Sequence, residues 1–266
     1  MGKKGKGMIK GRSGLYILAF LFLLVIAGCQ SSKGETEKEK SELVISAAAS
    51  LQKALTEIEA VYEEENEDIS LVFNYGGSGS LQHQIQNGAP TDLFISAAIE
   101  PFETLLDEGL IEEKANSNLL SNELVLIAGK QTEIEGLENL VSVSKIAIGS
   151  PDSVPAGKYA KQSLETLDLW GTIENKLIFA KDVTQVLTYV ETGNVEAGLV
   201  YATDAKSSSK VKVIDTVPND THEEIIYPAG VISSSKEKEK AKKFYAYLQS
   251  DRSLKIFEKY GFKGMK

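Results

Sequence analysis

From residue 43 onward, short apolar runs alternate with segments that carry apolar residues at helical spacing. The pattern predicts strands over LVISAAA, ISLVFNY, DLFISA, ELVLIAG, KIAIGS, KLIFA and AGLVY, with helices between most of them. The first helix is the clearest, because Leu51, Ala54, Leu55 and Ile58 recur three or four residues apart. Strands and helices that alternate in this way indicate an α/β fold with largely parallel sheets.

The first 42 residues follow a different pattern. Five basic residues precede Leu15–Ala27, an apolar run that is too short to span a bilayer but typical of a signal-peptide core. The run leads into IAGC, which resembles the lipobox of bacterial lipoproteins and ends at Cys29. We therefore predict a cleaved signal peptide over residues 1–28, a diacylglycerol and palmitate anchor on Cys29, and a polar tether over residues 29–42.

Composition narrows the possible function classes. The net charge of −9 comes from 29 basic and 38 acidic side chains, and five of the basic ones lie in residues 1–28, so the remainder carries −14. Such an acidic surface repels nucleic acid, and no nucleic-acid partner is predicted. Two histidines and one cysteine leave few ligands for a transition-metal site, whereas a carboxylate site for Ca²⁺ or Mg²⁺ stays open.

Four predicted junctions between a strand and a helix carry candidate chemistry. They lie at Ser50, in GGSGS at 76–80, in PDSVPAG at 151–157, and at Asp182 with Gln185, which has the pattern of a capping box. Ser50 stands where the first helix needs an N-cap. The start of a helix presents unpaired N–H donors and favours anions. Since helix starts at the carboxyl ends of strands can share one crevice, the pattern favours an anion site there.

Each junction also has an ordinary structural explanation: Ser50 as a cap, the glycines as a turn, and Tyr201 as a core aromatic residue. Two enzyme classes fit poorly. GGSGS lacks the last glycine of the G-x-S-x-G motif of serine hydrolases, and GSPDSVPAGK has Tyr159 where a P-loop has Ser or Thr. We therefore predict neither an enzymatic activity nor a cofactor.

Five segments taken together resemble one family. They are AAASL (47–51), GAPTDLFISA (88–97), VPAGKYAK (154–161), DVTQVL (182–187) and GLVYATDA (198–205), and in this order they resemble the molybdate-binding proteins of bacterial molybdate ABC importers. The resemblance runs from about Leu43 to Phe262. It implies a two-lobed periplasmic-binding-protein fold of type II, in which two strand crossovers form the hinge.

The resemblance also implies lobe boundaries and a ligand set. Crossovers near 122–124 and 225–228 would place residues 43–122 and 226–266 in lobe I and residues 123–225 in lobe II. The ligand contacts carried over by position are Ser50, Ser78, Ala156, Val183 and Tyr201, so molybdenum would be bound only as its oxyanion. Where many relatives are serine-rich this chain has GGSGS, and Ser78 is the best match there.

The function that the resemblance implies is capture of a small anion outside the cytoplasm. A monomeric lipoprotein, anchored to the cell membrane through Cys29, would bind molybdate and tungstate in the cleft between its lobes and deliver them to the membrane subunits of an ABC importer. The alternative that stays open is the same fold with sulfate, phosphate or another small anion as its cargo.

Overall fold

The computed structural model describes residues 1, 2, 5 and 40–265. The predicted signal peptide, the Cys29 anchor and the tether up to residue 39 lie outside the described residues. Residues 40–266 form one compact unit. In the described part of the chain, no helix is both long and apolar enough to cross a membrane.

The first sheet is built from the two ends of this unit. Its strands are β1 (Ser41–Ala48), β2 (Ile69–Gly76), β3 (Leu93–Ile95), β4 (Ile111–Ser121), β10 (Ile226–Ile232) and β11 (Lys263–Gly264). Their order across the sheet is β11-β4-β10-β3-β1-β2. Strand β1 pairs in parallel with β2 and β3, whereas β10 runs antiparallel to both β3 and β4.

The second sheet is built from the middle of the chain. Its strands are β5 (Leu124–Gly129), β6 (Ile146–Gly149), β7 (Leu177–Ala180), β8 (Ala197–Tyr201) and β9 (Val211–Thr216), in the order β7-β6-β8-β5-β9. Strand β6 pairs in parallel with β7 and β8, and β5 is antiparallel to β8 and β9. Both sheets are therefore mixed, and the prediction of largely parallel sheets is wrong for the pairs made by β4, β5, β9 and β10.

Helices cover the sheets and bury their apolar faces. They are α1 (Gln52–Glu65), α2 (Ser78–Gln86), α3 (Ile99–Asp107), α4 (Pro155–Thr166), α5 (Trp170–Ile173), α6 (Val183–Glu191), α7 (Ala202–Lys206), α8 (Lys238–Leu248) and α9 (Asp251–Tyr260). The predicted apolar face of α1 is buried as Ala54, Leu55, Ile58 and Tyr62. The last helix ends at Gly261, which has a φ of 101°, as the sequence predicts.

The chain passes twice between the sheets. It leaves β4 at Ser121 and enters β5 at Leu124, and it returns between Thr216 and Ile226. The two passages are tied to each other, because the backbone N–H of Asn122 donates to the carbonyl of Ile225 over 3.2 Å. We propose that these passages are the hinge, with the lobe boundaries given above.

Candidate functional site

A small cavity lies where loops and helix starts of the two sheets meet. Its volume is about 10 Å³, on the scale of a single water-sized sphere. The residues that line it are Ala48, Ala49, Ser50, Gly76, Gly77, Ser78, Ala97, Val154, Pro155, Ala156, Val183 and Tyr201. The structure thus brings together all five residues that the sequence assigns to ligand contact. The lining residues, all in the described part of the chain, include no charged side chain.

Ser50 reaches the cavity in a way that the sequence does not predict. It lies inside a short 3₁₀ turn, Ala49–Leu51, that is capped by Ala48, and α1 then begins at Gln52 without a side-chain cap. The Ser50 hydroxyl lies 3.0 Å from the phenol oxygen of Tyr227 instead. The predicted N-cap role of Ser50 is therefore wrong, because the extra turn moves the helix start beyond it.

Ser78 is the first residue of α2. Strand β2 runs to Gly76, so the predicted glycine-rich loop shrinks to Gly77, which is the N-cap residue. Ser78 is fully buried, and its Oγ accepts a hydrogen bond of 2.9 Å from the backbone N–H of Ala97. Since this bond occupies the hydroxyl oxygen, the hydroxyl hydrogen remains for donation into the cavity.

The second sheet contributes two helix starts. Ala156 is the second residue of α4, and Val183 is the first residue of α6. Asp182 caps α6 as predicted, since its Oδ1 accepts from the N–H of Gln185 at 2.8 Å, while the Gln185 side chain accepts from the N–H of Lys181. The N–H groups of Ala156 and Val183 lie in the first turn of their helices, where no carbonyl of the same helix can accept from them, so they can serve a ligand.

Tyr201 ends β8 and is buried against the same cavity. Its phenol oxygen lies 3.5 Å from the carbonyl of Ala97, and its ring centroid lies 5.7 Å from that of Tyr227. Burial raises the pKa of both phenols well above the ordinary value. Both phenols therefore keep their protons at neutral pH. The Tyr201 hydroxyl donates to the Ala97 carbonyl over a long 3.5 Å, so it must turn from that carbonyl to donate into the cavity.

A buried acid lies next to this donor set. Asp204, in α7, accepts a hydrogen bond from the backbone of Tyr201, and its Oδ2 has no hydrogen-bond partner among the described residues. Burial raises the pKa of Asp204 to about 7; the hydrogen bond from the Tyr201 backbone and, less strongly, the charge of Lys53 oppose this shift, and Asp182 adds to it. Asp204 lines a neighbouring cavity of about 230 Å³ rather than the small one.

Two glycines allow the two sides of the cavity to touch. The N–H of Gly79 donates to the carbonyl of Ser153 over 3.0 Å. A Cβ on Gly77 would lie 2.7 Å from the Ser153 oxygen and 3.1 Å from the Lys181 oxygen. These positions therefore require glycine because the backbones on the two sides are in contact.

The family of bacterial extracellular solute-binding proteins matches residues 43–263 of the chain. The chain belongs to this family. YvgL of Bacillus subtilis, provisionally named an ABC transporter substrate-binding lipoprotein, is 49% identical over 251 residues, which is 93% of this chain and 96% of YvgL. The molybdate-binding protein ModA of Escherichia coli is 35% identical over 237 residues, which is 86% of this chain and 91% of ModA.

A solved structure shows the same fold. The periplasmic molybdate-binding protein of Azotobacter vinelandii superposes with a TM-score of 0.77 at 22% identity, over 84% of this chain and 100% of that one. The protein is thus an extracellular solute-binding protein with the two-lobed, type II periplasmic-binding-protein fold, and not an enzyme. Both the predicted fold and the predicted resemblance are confirmed.

Sequence reasoning missed several residues around the site of this solute-binding protein. Asn122, Tyr227 and Ala97 each hydrogen-bond to a predicted contact residue or to its partner. The sequence places Asn122 and Tyr227 near the crossovers, but no local pattern indicates that Asn122 meets Tyr227 or that Tyr227 meets Ser50. These contacts depend on the strand order, which brings β10 next to β3.

Proposed function

We propose that this protein captures molybdate, and with it tungstate, in the small cavity between its lobes and delivers the anion to an ABC importer. The observation that carries the proposal is the donor set of the cavity: two serine hydroxyls, two N–H groups at helix starts and one neutral phenol, with no charged side chain among the residues that line it. The names of the Escherichia coli and Azotobacter vinelandii relatives support the same cargo.

A site of this kind suits an oxyanion that carries no proton. Hydrogen bonds to a charged partner contribute about 1.5–3 kcal/mol each, so several of them offset the loss of hydration without a cation. The Ser78 oxygen already accepts from Ala97, and its hydroxyl hydrogen is left to offer to an anion. Phosphate near neutrality keeps a proton that finds no acceptor in such a site, so it is disfavoured.

Size adds a second criterion. The cavity is compact, and the contact between Gly79 and Ser153 holds its two sides together, so it suits a small tetrahedral ion better than a sugar or a peptide. Sulfate also carries no proton, so the donor set alone does not exclude it, and the choice of molybdate over sulfate rests on the names of the relatives. Molybdate and tungstate are close in size, and the site should discriminate poorly between them.

A calorimetry and thermal-shift panel tests the cargo. Molybdate at a hundred times its Kd should stabilise the purified protein by about 2.7 kcal/mol, and tungstate should act similarly. Sulfate and phosphate should shift the Tm much less, with sodium chloride of matched ionic strength as the control. No shift with molybdate, or an equal shift with sulfate, would show that the assigned cargo is wrong.

We further propose that the protein is a monomer held at the outer face of the cell membrane by a lipid on Cys29. The lipobox-like sequence IAGC and the lipoprotein name of YvgL support this placement. Cys29→Ala should move the protein from the membrane fraction to the soluble fraction, with Ser31→Ala as the matched control. An unchanged membrane fraction in Cys29→Ala would contradict the anchor.

A further inference from the structure

Ser50 is connected to a hydrogen-bonded chain that ends at the first crossover. Its hydroxyl lies 3.0 Å from the Tyr227 phenol, and the Tyr227 phenol lies 3.2 Å from Nδ2 of Asn122. The same Nδ2 donates to Oγ1 of Thr203 over 2.9 Å. Three polar groups that are distant in sequence therefore form one continuous chain, Asn122 to Tyr227 to Ser50.

The direction of this chain is set at Asn122. The backbone N–H of Glu123 donates to Oδ1 of Asn122 over 2.9 Å, and an N–H can only meet the oxygen end of the amide. The NH₂ end therefore faces Tyr227, and an amide NH₂ can only donate. Its two hydrogens suffice for its two acceptors, Tyr227 and Thr203.

The Tyr227 phenol is the next member of the chain, between Asn122 and Ser50. Its oxygen accepts from Asn122, and Tyr227 is fully buried, with its hydroxyl group 3.0 Å from Ser50 Oγ. Its hydrogen is then available to either of two neighbours, Ser50 Oγ or the phenol of Tyr201, with which Tyr227 also hydrogen-bonds. When Tyr227 donates to Ser50, the Ser50 hydrogen cannot return to Tyr227 and is free for an anion in the small cavity, which Ser50 lines together with the larger neighbouring one.

We propose that Asn122 and Tyr227 are positioning residues that hold the Ser50 hydroxyl as a hydrogen donor toward the bound oxyanion. Neither of them lines the small cavity, and both act through Ser50. The arrangement parallels that of Ser78, whose oxygen is occupied by the N–H of Ala97. This inference rests on the proposed function, since it needs an anion in the cavity.

A double-mutant cycle tests the inference. The Kd for molybdate is measured by calorimetry for the wild type, Tyr227→Phe, Ser50→Ala and the double variant. Tyr227→Phe alone should weaken binding about two- to tenfold, the range for one hydrogen bond. In the Ser50→Ala background it should change the Kd clearly less, because the phenol then no longer has the Ser50 hydroxyl to direct and only its contact with Tyr201 remains.

The controls separate this chain from a general structural role. Thr203→Val removes the other acceptor of the Asn122 amide and should leave the Kd unchanged. If Tyr227→Phe does not fold, as judged by its thermal unfolding, Asn122→Ala takes its place in the same cycle. An equal loss from Tyr227→Phe in both backgrounds would overturn the inference. Failure of the wild type to bind molybdate would instead overturn the proposed function.

Discussion

The two sides of the cavity present the same kind of donor through different atoms. On the side of the first sheet, Ser50 and Ser78 offer hydroxyl groups, and each hydroxyl depends on a neighbouring donor for its direction. On the side of the second sheet, Ala156 and Val183 offer backbone N–H groups, whose direction is fixed by the helix that they begin. Tyr201 adds a phenol to the second side. The first side is therefore sensitive to the identity of side chains throughout, whereas two of the three donors on the second side are sensitive only to changes in the backbone.

Helix starts do not account for this difference, because both sides have them. Ser78 begins α2, just as Val183 begins α6. Each start contributes partial positive charge to the cavity. What differs is how most donors can be removed: on the first side by deleting one oxygen, and on the second, apart from the Tyr201 phenol, only by deleting a backbone hydrogen.

The largest effect on binding is expected from Val183→Pro. Proline at the first position of a helix fits the backbone, and the preceding Asp182 is already extended, with φ −158° and ψ 168°. The substitution therefore deletes the N–H group while α6 remains. Loss of one donor to an anion should cost about 1.5–3 kcal/mol, which is about a 10- to 150-fold rise in the Kd for molybdate by calorimetry.

Val183→Ala is the matched control for this variant. It shortens a buried side chain but keeps the N–H group, so it should lower the Tm while changing the Kd by less than about threefold. If both variants weaken binding equally, the second side contributes through packing, and the comparison between the two sides fails.

A loss with a smaller lower bound, about 5- to 150-fold, is expected from Gly77→Ala. Its Cβ would lie 2.7 Å from the carbonyl oxygen of Ser153, and relieving such an overlap costs about 1–3 kcal/mol. The two sides would then separate without loss of any donor. Gly171→Ala, whose Cβ would meet nothing within 4 Å, is the control. Binding is measured by calorimetry and compactness by small-angle scattering, and an unchanged Kd would show that close contact is not needed.

Ser78→Ala should have a moderate effect, about a tenfold rise in the Kd for molybdate. The variant removes one donor to the anion and also leaves the buried N–H of Ala97 without its acceptor, so the Tm should fall as well. Ser78→Cys keeps a hydrogen, although a thiol is a weaker donor than a hydroxyl, so its Kd should lie between those of the wild type and Ser78→Ala. A Kd equal to that of the wild type would remove Ser78 from the donor set.

Much of the fold follows from apolar periodicity. The seven predicted strands all occur, as β1 to β3 and β5 to β8. Strand β4 was missed because its sequence, IEEKANSNLLS, is polar and only partly buried. Strand β10 was missed because it contains Pro228, which lacks an N–H group; the pairing register shifts there between Tyr227 and Pro228.

Only the parts of the candidate site that have a local sequence signal could be predicted. The starts of α4 and α6 can be located from Pro155 and Asp182, which mark helix beginnings in any fold. The partners of the two serines cannot be located in this way. Tyr227 lies 177 positions from Ser50, and Ala97 lies 19 positions from Ser78, so their contacts depend on strand order and not on sequence spacing.

The smallest effect on binding is expected at Asp204, the buried acid beside Tyr201. The ordinary pKa of an aspartate side chain, which applies in the unfolded chain, is 3.8, whereas the pKa of Asp204 in the folded protein is about 7. Between these values the folded protein holds a proton that the unfolded chain releases, so the free energy of unfolding falls as the pH rises toward 7 and then levels off.

Asp204→Asn removes this dependence and keeps an acceptor for the Tyr201 N–H. The variant should gain at least about 1 kcal/mol over the wild type at pH 8, about 2–4 °C in Tm, and little at pH 4. Its Kd for molybdate at pH 8 should stay within about twofold, because Asp204 does not line the small cavity. An equal gain at both pH values would mean that Asp204 is not protonated on folding. A large change in the Kd would mean that a charged group acts on the second side of the cavity.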